Sequence, residues 1–77
     1  MKIREHDCVV LTSDFPHAGL ESGDVGTVIH VHGNGDAFEV EFMTLTGETV
    51  AIATVSSEQL RPVGKLDVSH VRELAAA

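Results

Sequence analysis

The segment Ala37-Phe38-Glu39-Val40-Glu41-Phe42-Met43 decides the fold class of this 77-residue chain. Phe38, Val40 and Phe42 alternate strictly with residues that would point to the opposite side, two of which are glutamates. This period of two is that of a β-strand with one face in a core and the other in water. The pattern therefore predicts a strand over residues 37–43, in a sheet with one buried face.

Short runs rich in β-branched and apolar residues flank this strand, and turn residues separate them. Gly33-Asn34-Gly35-Asp36 predicts a tight hairpin before the strand, because such a turn needs residues that tolerate positive φ. Thr46-Gly47 predicts a second turn after it. Four further strands are predicted, at residues 7–12, 24–31, 49–55 and 61–63.

The last two of these strands differ in their expected positions in the sheet. Residues 49–55 are apolar on both faces, which indicates a central strand of a closed sheet. Residues 61–63 contain a proline, which an edge strand tolerates. Residues 56–60 lie between them, with a serine before an acidic residue, and are too short for a full helix. We therefore predict a single 3₁₀ turn there.

A long loop over residues 13–23 follows the first strand and is the segment most suited to a functional role. It carries Pro16 and two glycines among polar residues, and we expect Phe15 and Leu20 to fold back onto the core. Five strands, this loop, two tight hairpins and a 3₁₀ turn before the last strand describe a small all-β SH3-like barrel over residues 1–63. Closure of such a sheet hides its strand edges.

Residues 64–77 form a C-terminal tail with a different pattern. Leu66, Val68, Val71 and Leu74 recur at mixed spacings of two and three residues, so a short helix and an irregular tail both stay open. The apolar side chains would pack either on the barrel or on a second copy of the chain. A homodimer is therefore also left open.

Composition and charge narrow the classes of function. Five Lys and Arg residues stand against 12 Asp and Glu, and the net charge of −7 repels phosphate polymers and anionic membranes. The chain begins without the apolar stretch of a signal peptide, and no apolar run approaches the roughly 20 residues that span a bilayer. The single cysteine, Cys8, lies in an apolar strand and is expected to be a buried structural thiol. We expect a soluble, cytoplasmic protein that binds no membrane.

The residues give no sign of an enzyme or a cofactor. No serine or cysteine has a recognisable base and oxyanion hole, and Glu39 and Glu41 share a strand face that offers no pocket to shift their pKa values. His30 and His32 are two residues apart on a strand, so they project from one face and could form half of a metal site, completed by His6, His17 or an acidic residue. Alternatively, these histidines only contribute to the polar side of the sheet.

The motif Gly23-Asp24-Val25-Gly26-Thr27-Val28 leads into the second strand and is similar to the Gly-Asp-x-Gly-x-Val motif of SH3-like barrels, including KOW modules of ribosomal and transcription proteins. A longer pattern resembles a family of small bacterial proteins known as domain of unknown function 4926. That resemblance covers roughly residues 3–63 and implies an SH3-like fold, with no established activity, cofactor or catalytic residues. It rests on Gly19-Leu20, the motif above, Phe38-Glu39-Val40-Glu41-Phe42, Gly47-Glu48-Thr49 and Gln59-Leu60-Arg61-Pro62-Val63.

Together these features predict a non-catalytic, acidic binding module of bacteria, acting as the accessory or neutralising partner of a basic protein. The expected contact residues are acidic or lie in the first loop: Asp14, Phe15, Glu21, Asp24, Glu39 and Glu41. Ordinary surface acidity explains these carboxylates equally well. The alternatives are a KOW-like module associated with nucleic acid and a metal-binding protein that uses His30 and His32.

Overall fold

A computed structural model describes residues 2–74 of the chain, and it has five antiparallel strands in one sheet. The strand order in the sheet is β4-β3-β2-β1-β5. The all-β prediction is confirmed, and each predicted strand is present within two residues of its expected ends. The strands are β1 (Cys8–Leu11), β2 (Val25–His32), β3 (Ala37–Met43), β4 (Thr49–Ser56) and β5 (Leu60–Pro62).

The core lies on one face of this sheet, as the alternation in β3 predicts. Phe38, Val40 and Phe42 are buried, and Val40 pairs directly with the fully buried Val28 of β2. The first loop adds Leu20, which is also buried, whereas Phe15 packs partly buried against the same cluster. Both loop anchors predicted from the sequence are therefore confirmed.

Strand β4 lies at one edge of the sheet, which corrects the expectation of a central strand. Its Ala51, Ala53 and Val55 face the core, whereas Ile52 points away and is 56% exposed. Ile52 makes the outer face of the strand apolar as well, although that side chain is exposed to solvent and is not covered by a second layer. Strand β5 forms the opposite edge, as predicted, and the two edges do not pair. Closure into a barrel is therefore not confirmed.

Gly26 allows β2 to lie unusually close to its paired strand, β3. A Cβ atom at this position would lie 2.5 Å from Cγ1 of Val40 and 2.9 Å from the carbonyl oxygen of Glu41. The predicted hairpin between these strands is confirmed, with positive φ angles of 59° at Gly33 and 99° at Gly35. The second glycine of the Gly-Asp-x-Gly-x-Val motif thus has a packing role that requires no ligand.

Cys8 is exposed, which corrects the expectation of a buried thiol. It is the first residue of β1, and the three residues that follow it, Val9, Val10 and Leu11, are all buried. The 3₁₀ turn before β5 is confirmed over Ser57–Gln59. Ser56 and Gln59 form a reciprocal capping box around it.

The tail forms no helix in its described part, residues 64–74, so that alternative is wrong for this segment. Asp67 instead closes a turn: it accepts a hydrogen bond of 2.6 Å from the amide of Gly64 and two of 2.9 Å from the guanidinium of Arg61. Residues 75–77 lie outside the described part. No helix in residues 2–74 is long and apolar enough to cross a membrane.

Candidate functional site

The loop between β1 and β2 is a folded structure that positions one carboxylate. Phe15 and Leu20 exchange two backbone hydrogen bonds of 2.9 and 3.0 Å around a short 3₁₀ helix, Pro16–Ala18. Oδ1 of Asp14 accepts a hydrogen bond of 2.8 Å from the amide of Ser22. The end of the loop is joined to β1 by two backbone hydrogen bonds, from the Gly23 amide to the Leu11 carbonyl at 2.8 Å and from the Leu11 amide to the Asp24 carbonyl at 2.9 Å.

Asp24 is bonded to an arginine of the tail. Nε of Arg72 donates to Oδ1 at 2.8 Å and Nη2 donates to Oδ2 at 2.6 Å, in a two-point contact between a guanidinium and a carboxylate. Nη2 also donates to the carbonyl of Gly19 at 3.1 Å, and Nη1 lies 3.6 Å from Glu21. We call Asp24, Glu21 and the Gly19 carbonyl the acidic pocket.

The acidic pocket is partly shielded from water, and this changes the chemistry of Asp24. Only 12% of the Asp24 side chain and 21% of the Arg72 side chain are exposed. Burial alone would raise the pKa of Asp24, but hydrogen bonds from Arg72 and from the Glu21 amide, together with the charges of Arg72 and His70, lower it on balance. With Arg72 bonded to it, Asp24 is therefore held as a carboxylate anion.

An open groove of about 790 Å³ adjoins the acidic pocket. Its walls come from the start of β2, the end of β3, the turn before β4 and tail residues 69–74. Phe42 and Val50 give it an apolar side, and Leu74 of the tail forms part of the opposite wall. The site thus combines a cation-binding end with an apolar trough, an arrangement suited to an extended peptide.

Two of the predicted contact residues lie on a different surface, the outer face of the sheet. Oε2 of Glu39 is 2.7 Å from Nε2 of His32 and accepts a bond of 2.8 Å from Thr54, and these hydrogen bonds lower the pKa of Glu39. Glu41 accepts a bond of 2.7 Å from Thr49. The structure therefore joins Glu21 and Asp24 in one site but does not add Glu39 and Glu41 to it.

His30 and His32 do share one face of β2, with their ring centroids 4.8 Å apart. His32 meets Glu39, and Nδ1 of His30 is 3.9 Å from a carboxylate oxygen of Glu5. Within residues 2–74, however, no three His, Cys, Asp or Glu side chains are grouped so that they could hold a metal ion. The described residues therefore add no support to the metal-site alternative.

Arg72 and His70 are the site residues that sequence reasoning missed. Nε2 of His70 lies 3.4 Å from Oδ1 of Asp24, on the side of the carboxylate that Gly23 leaves open. Arg72 is 48 residues away from Asp24 in the chain, so no local pattern links them. The only available signal was charge complementarity between an acidic loop and cations near the terminus.

Acid is expected to release the tail before the sheet unfolds. The bonds from Arg61 and the Gly64 amide lower the pKa of Asp67 to about 2, and the pKa of Asp24 is also lowered. A carboxyl group with a depressed pKa stabilises the folded state fully above its unfolded pKa near 3.8, and this contribution is lost as the pH falls toward the folded value. Amide chemical shifts of residues 69–74, followed from pH 6 to about pH 2, check this.

The amide of Val40, in the centre of the sheet, serves as the internal reference for that titration. Tail shifts should change between about pH 4 and 2 while the shift of Val40 does not. A tail signal that stays constant to pH 2, or that changes only together with Val40, would show that these carboxylates do not hold the tail.

Comparison with known proteins gives one match. The model of a family described as a domain of unknown function (DUF4926) matches residues 5–62. The matched segment contains the sheet, the first loop and Asp24, but not Arg72. No curated protein and no solved structure shows significant similarity to the chain.

Proposed function

We propose that this chain, which belongs to the DUF4926 family of unknown function, is a non-catalytic module that binds a basic segment of another protein in its acidic pocket. The observation that supports this proposal most directly is the position of the Arg72 guanidinium. A guanidinium lies in the pocket with two carboxylate contacts and one carbonyl contact, all between 2.6 and 3.1 Å. The chain itself thus shows which chemistry the pocket accepts.

The pocket favours arginine over a simple point charge. A guanidinium presents several donors in one plane, so it can reach both oxygens of Asp24 and the Gly19 carbonyl together, which the compact ammonium of lysine cannot do. The hydrogen bond of 2.9 Å from the Glu21 amide fixes Oδ2 of Asp24 in place. The partner therefore needs to supply an arginine, and the loop supplies a carboxylate that is already oriented.

The charge of the whole molecule supports a basic partner. A net charge of −7 on 77 residues attracts cationic surfaces at long range and speeds encounter. A small acidic module that covers an arginine-bearing segment would also prevent that segment from binding anything else. In this proposal the protein is an accessory or neutralising partner in the bacterial cytoplasm.

The other two hypotheses have less support from the described residues. A KOW-like contact with nucleic acid would use cations that phosphates can reach. Arg61 and Arg72 are each bonded to an aspartate instead. The metal hypothesis lacks a third ligand beside His30 and His32 within residues 2–74. Both remain predictions that binding measurements would test.

Reversal of charge at Glu21 should weaken partner binding. Glu21 is exposed at the rim of the acidic pocket, and a lysine there would repel an incoming arginine. We expect the tagged Glu21→Lys chain to retain about tenfold less of a basic partner at low salt than the wild-type chain. The measurement is affinity capture from the native host at low and moderate salt, with mass spectrometry of the retained proteins.

Glu58→Lys is the matched control, because it makes the same change in net charge at an exposed position in the 3₁₀ turn before β5. It should retain the partner as the wild-type chain does. If no protein is lost selectively on changing Glu21, or if both variants lose it equally, the acidic pocket is not where the partner binds. Retention of nucleic acid in place of a protein would favour the KOW-like alternative.

A further inference from the structure

We infer that tail residues 70–74 cover, within the same chain, the acidic pocket that a partner's segment would fill, so that the tail is a built-in competitor whose side chains show what the ligand must carry. This inference rests on the proposed function and extends it. The ligand is an extended segment with a histidine or another basic residue, an arginine two residues later and an apolar residue two residues after that. His70, Arg72 and Leu74 have this spacing in the tail.

The contacts of the tail alternate along its length. The His70 ring lies over Gly23, with its atoms 3.1 to 3.4 Å from where a Cβ of residue 23 would be, and the Arg72 guanidinium enters the acidic pocket. Leu74 and Val71 both line the groove, but Leu74 is the more covered of the two, at 40% exposed against 72%. Side chains at every second position that face one surface are typical of a bound extended peptide.

Gly23 is part of the recognition surface for this reason. Its φ of 97° favours glycine, and a side chain here would also crowd the His70 ring. The motif therefore leaves an opening beside Asp24 through which the His70 ring reaches the carboxylate. A partner's lysine, arginine or histidine would fit the same opening.

The tail is held in a way that permits displacement. The matched family domain ends at residue 62, and the tail after it has no regular helix or strand through residue 74. Leu66 and Val68, which connect the Asp67 turn to the groove, are 96% and 89% exposed, so they add little burial. Tethering nevertheless presents the tail at an effective concentration on the order of millimolar, which a partner must overcome.

The test uses a labelled peptide with the sequence of residues 66–74 as the probe. Its affinity is measured by fluorescence anisotropy for the full wild-type chain and for the full Arg72→Ala chain. We expect the Arg72→Ala chain to bind the peptide at least about tenfold more tightly, because its own tail no longer fills the acidic pocket. A peptide with alanine in place of its arginine should not bind to either chain.

Lys65→Ala is the matched control, since it removes one positive charge from an exposed part of the tail outside the groove. It should bind the peptide as the wild-type chain does. In case Arg72→Ala alters the fold, an excess of unlabelled peptide is added to the ¹⁵N-labelled wild-type chain. The Arg72 Nε–H resonance should then move to the position of a free arginine.

The outcomes separate this inference from the proposed function. Equal peptide affinity for the wild-type and Arg72→Ala chains, with no shift of the Arg72 resonance, overturns competition by the tail but leaves a pocket that binds arginine. No peptide binding by either chain, together with partner capture that still depends on Glu21, overturns the ligand pattern and leaves the proposed function intact. Loss of both kinds of binding contradicts both.

Discussion

Replacement of Leu11 by alanine is expected to lower the free energy of unfolding by about 2 to 5 kcal/mol. Leu11 is 1% exposed and packs in the centre of the core cluster, so the truncation leaves a cavity that the neighbouring strands only partly fill. A domain of this length has only about 4 to 12 kcal/mol of stability in total. The chain has no Trp or Tyr, so unfolding in urea is best followed by far-UV circular dichroism.

Leu45→Ala is the control for this measurement. The same side chain is removed, but Leu45 is 84% exposed in the turn between β3 and β4. Its stability change should stay within about 0.5 kcal/mol. Similar losses at both positions would mean that the core does not lie where the buried residues place it.

Gly26→Ala is the second change with a large expected effect, a loss of about 3 kcal/mol. The added Cβ would be 2.5 Å from Val40 and 2.9 Å from both the Glu41 carbonyl oxygen and the Phe42 ring. Since one of these atoms belongs to the backbone of the paired strand, β2 and β3 must move apart, and their hydrogen bonds weaken. Thermal unfolding should show a melting temperature lower by more than about 10 °C.

Gly64→Ala separates crowding from any general effect of replacing glycine. A Cβ at Gly64 would meet its nearest neighbour, Asp67, at an ordinary contact distance of 3.5 Å. This variant should be close to the wild-type chain in melting temperature, or slightly above it, because alanine restricts the unfolded chain. A Gly26→Ala chain as stable as Gly64→Ala would contradict the close approach of β2 and β3.

Features of the fold that depend on neighbours in sequence could be predicted. The alternation around Val40 identified β3, the glycines at 33 and 35 identified its hairpin, and the serine at 56 identified the 3₁₀ turn before β5. In each case the residues that determine the conformation lie within a few positions of each other. The resemblance to the family was confirmed over residues 5–62.

Features that depend on distant contacts were not predicted correctly. Ile52 made β4 resemble a central strand, although the order of strands in the sheet depends on pairings across the whole chain. Cys8 was expected to be buried because its neighbours are apolar, but it is the exposed first residue of a strand whose other three residues are buried. Apolar composition thus identified the strands without identifying which faces are covered.

The candidate site was predicted in part for the same reason. Glu21 and Asp24 were identified from the acidity of the first loop, but Arg72, which defines the geometry of the acidic pocket, is distant in sequence. Glu39 was grouped with them on charge alone and lies beside His32 on the outer face of the sheet. A sequence gives the sign of each charge, whereas the pairing of charges requires the fold.

Because β4 lies at the edge of the sheet, the tendency of this protein to aggregate is expected to depend on its net charge. Residues 49–57 contain no charged side chain, and one side of the strand has no partner in the described sheet. Natural edges usually carry lysines, prolines or bulges that prevent two molecules from pairing edge to edge. Strand β4 has a register shift at its start, where Thr49 pairs with Met43 and Ala51 with Phe42, but residues 51–56 have no such feature. Along that part of the strand we expect the repulsion between molecules of net charge −7 to prevent such pairing, and this repulsion vanishes near the isoelectric point of about 4.9. Purification and storage well above that pH would keep the molecules apart without any change in the strand itself.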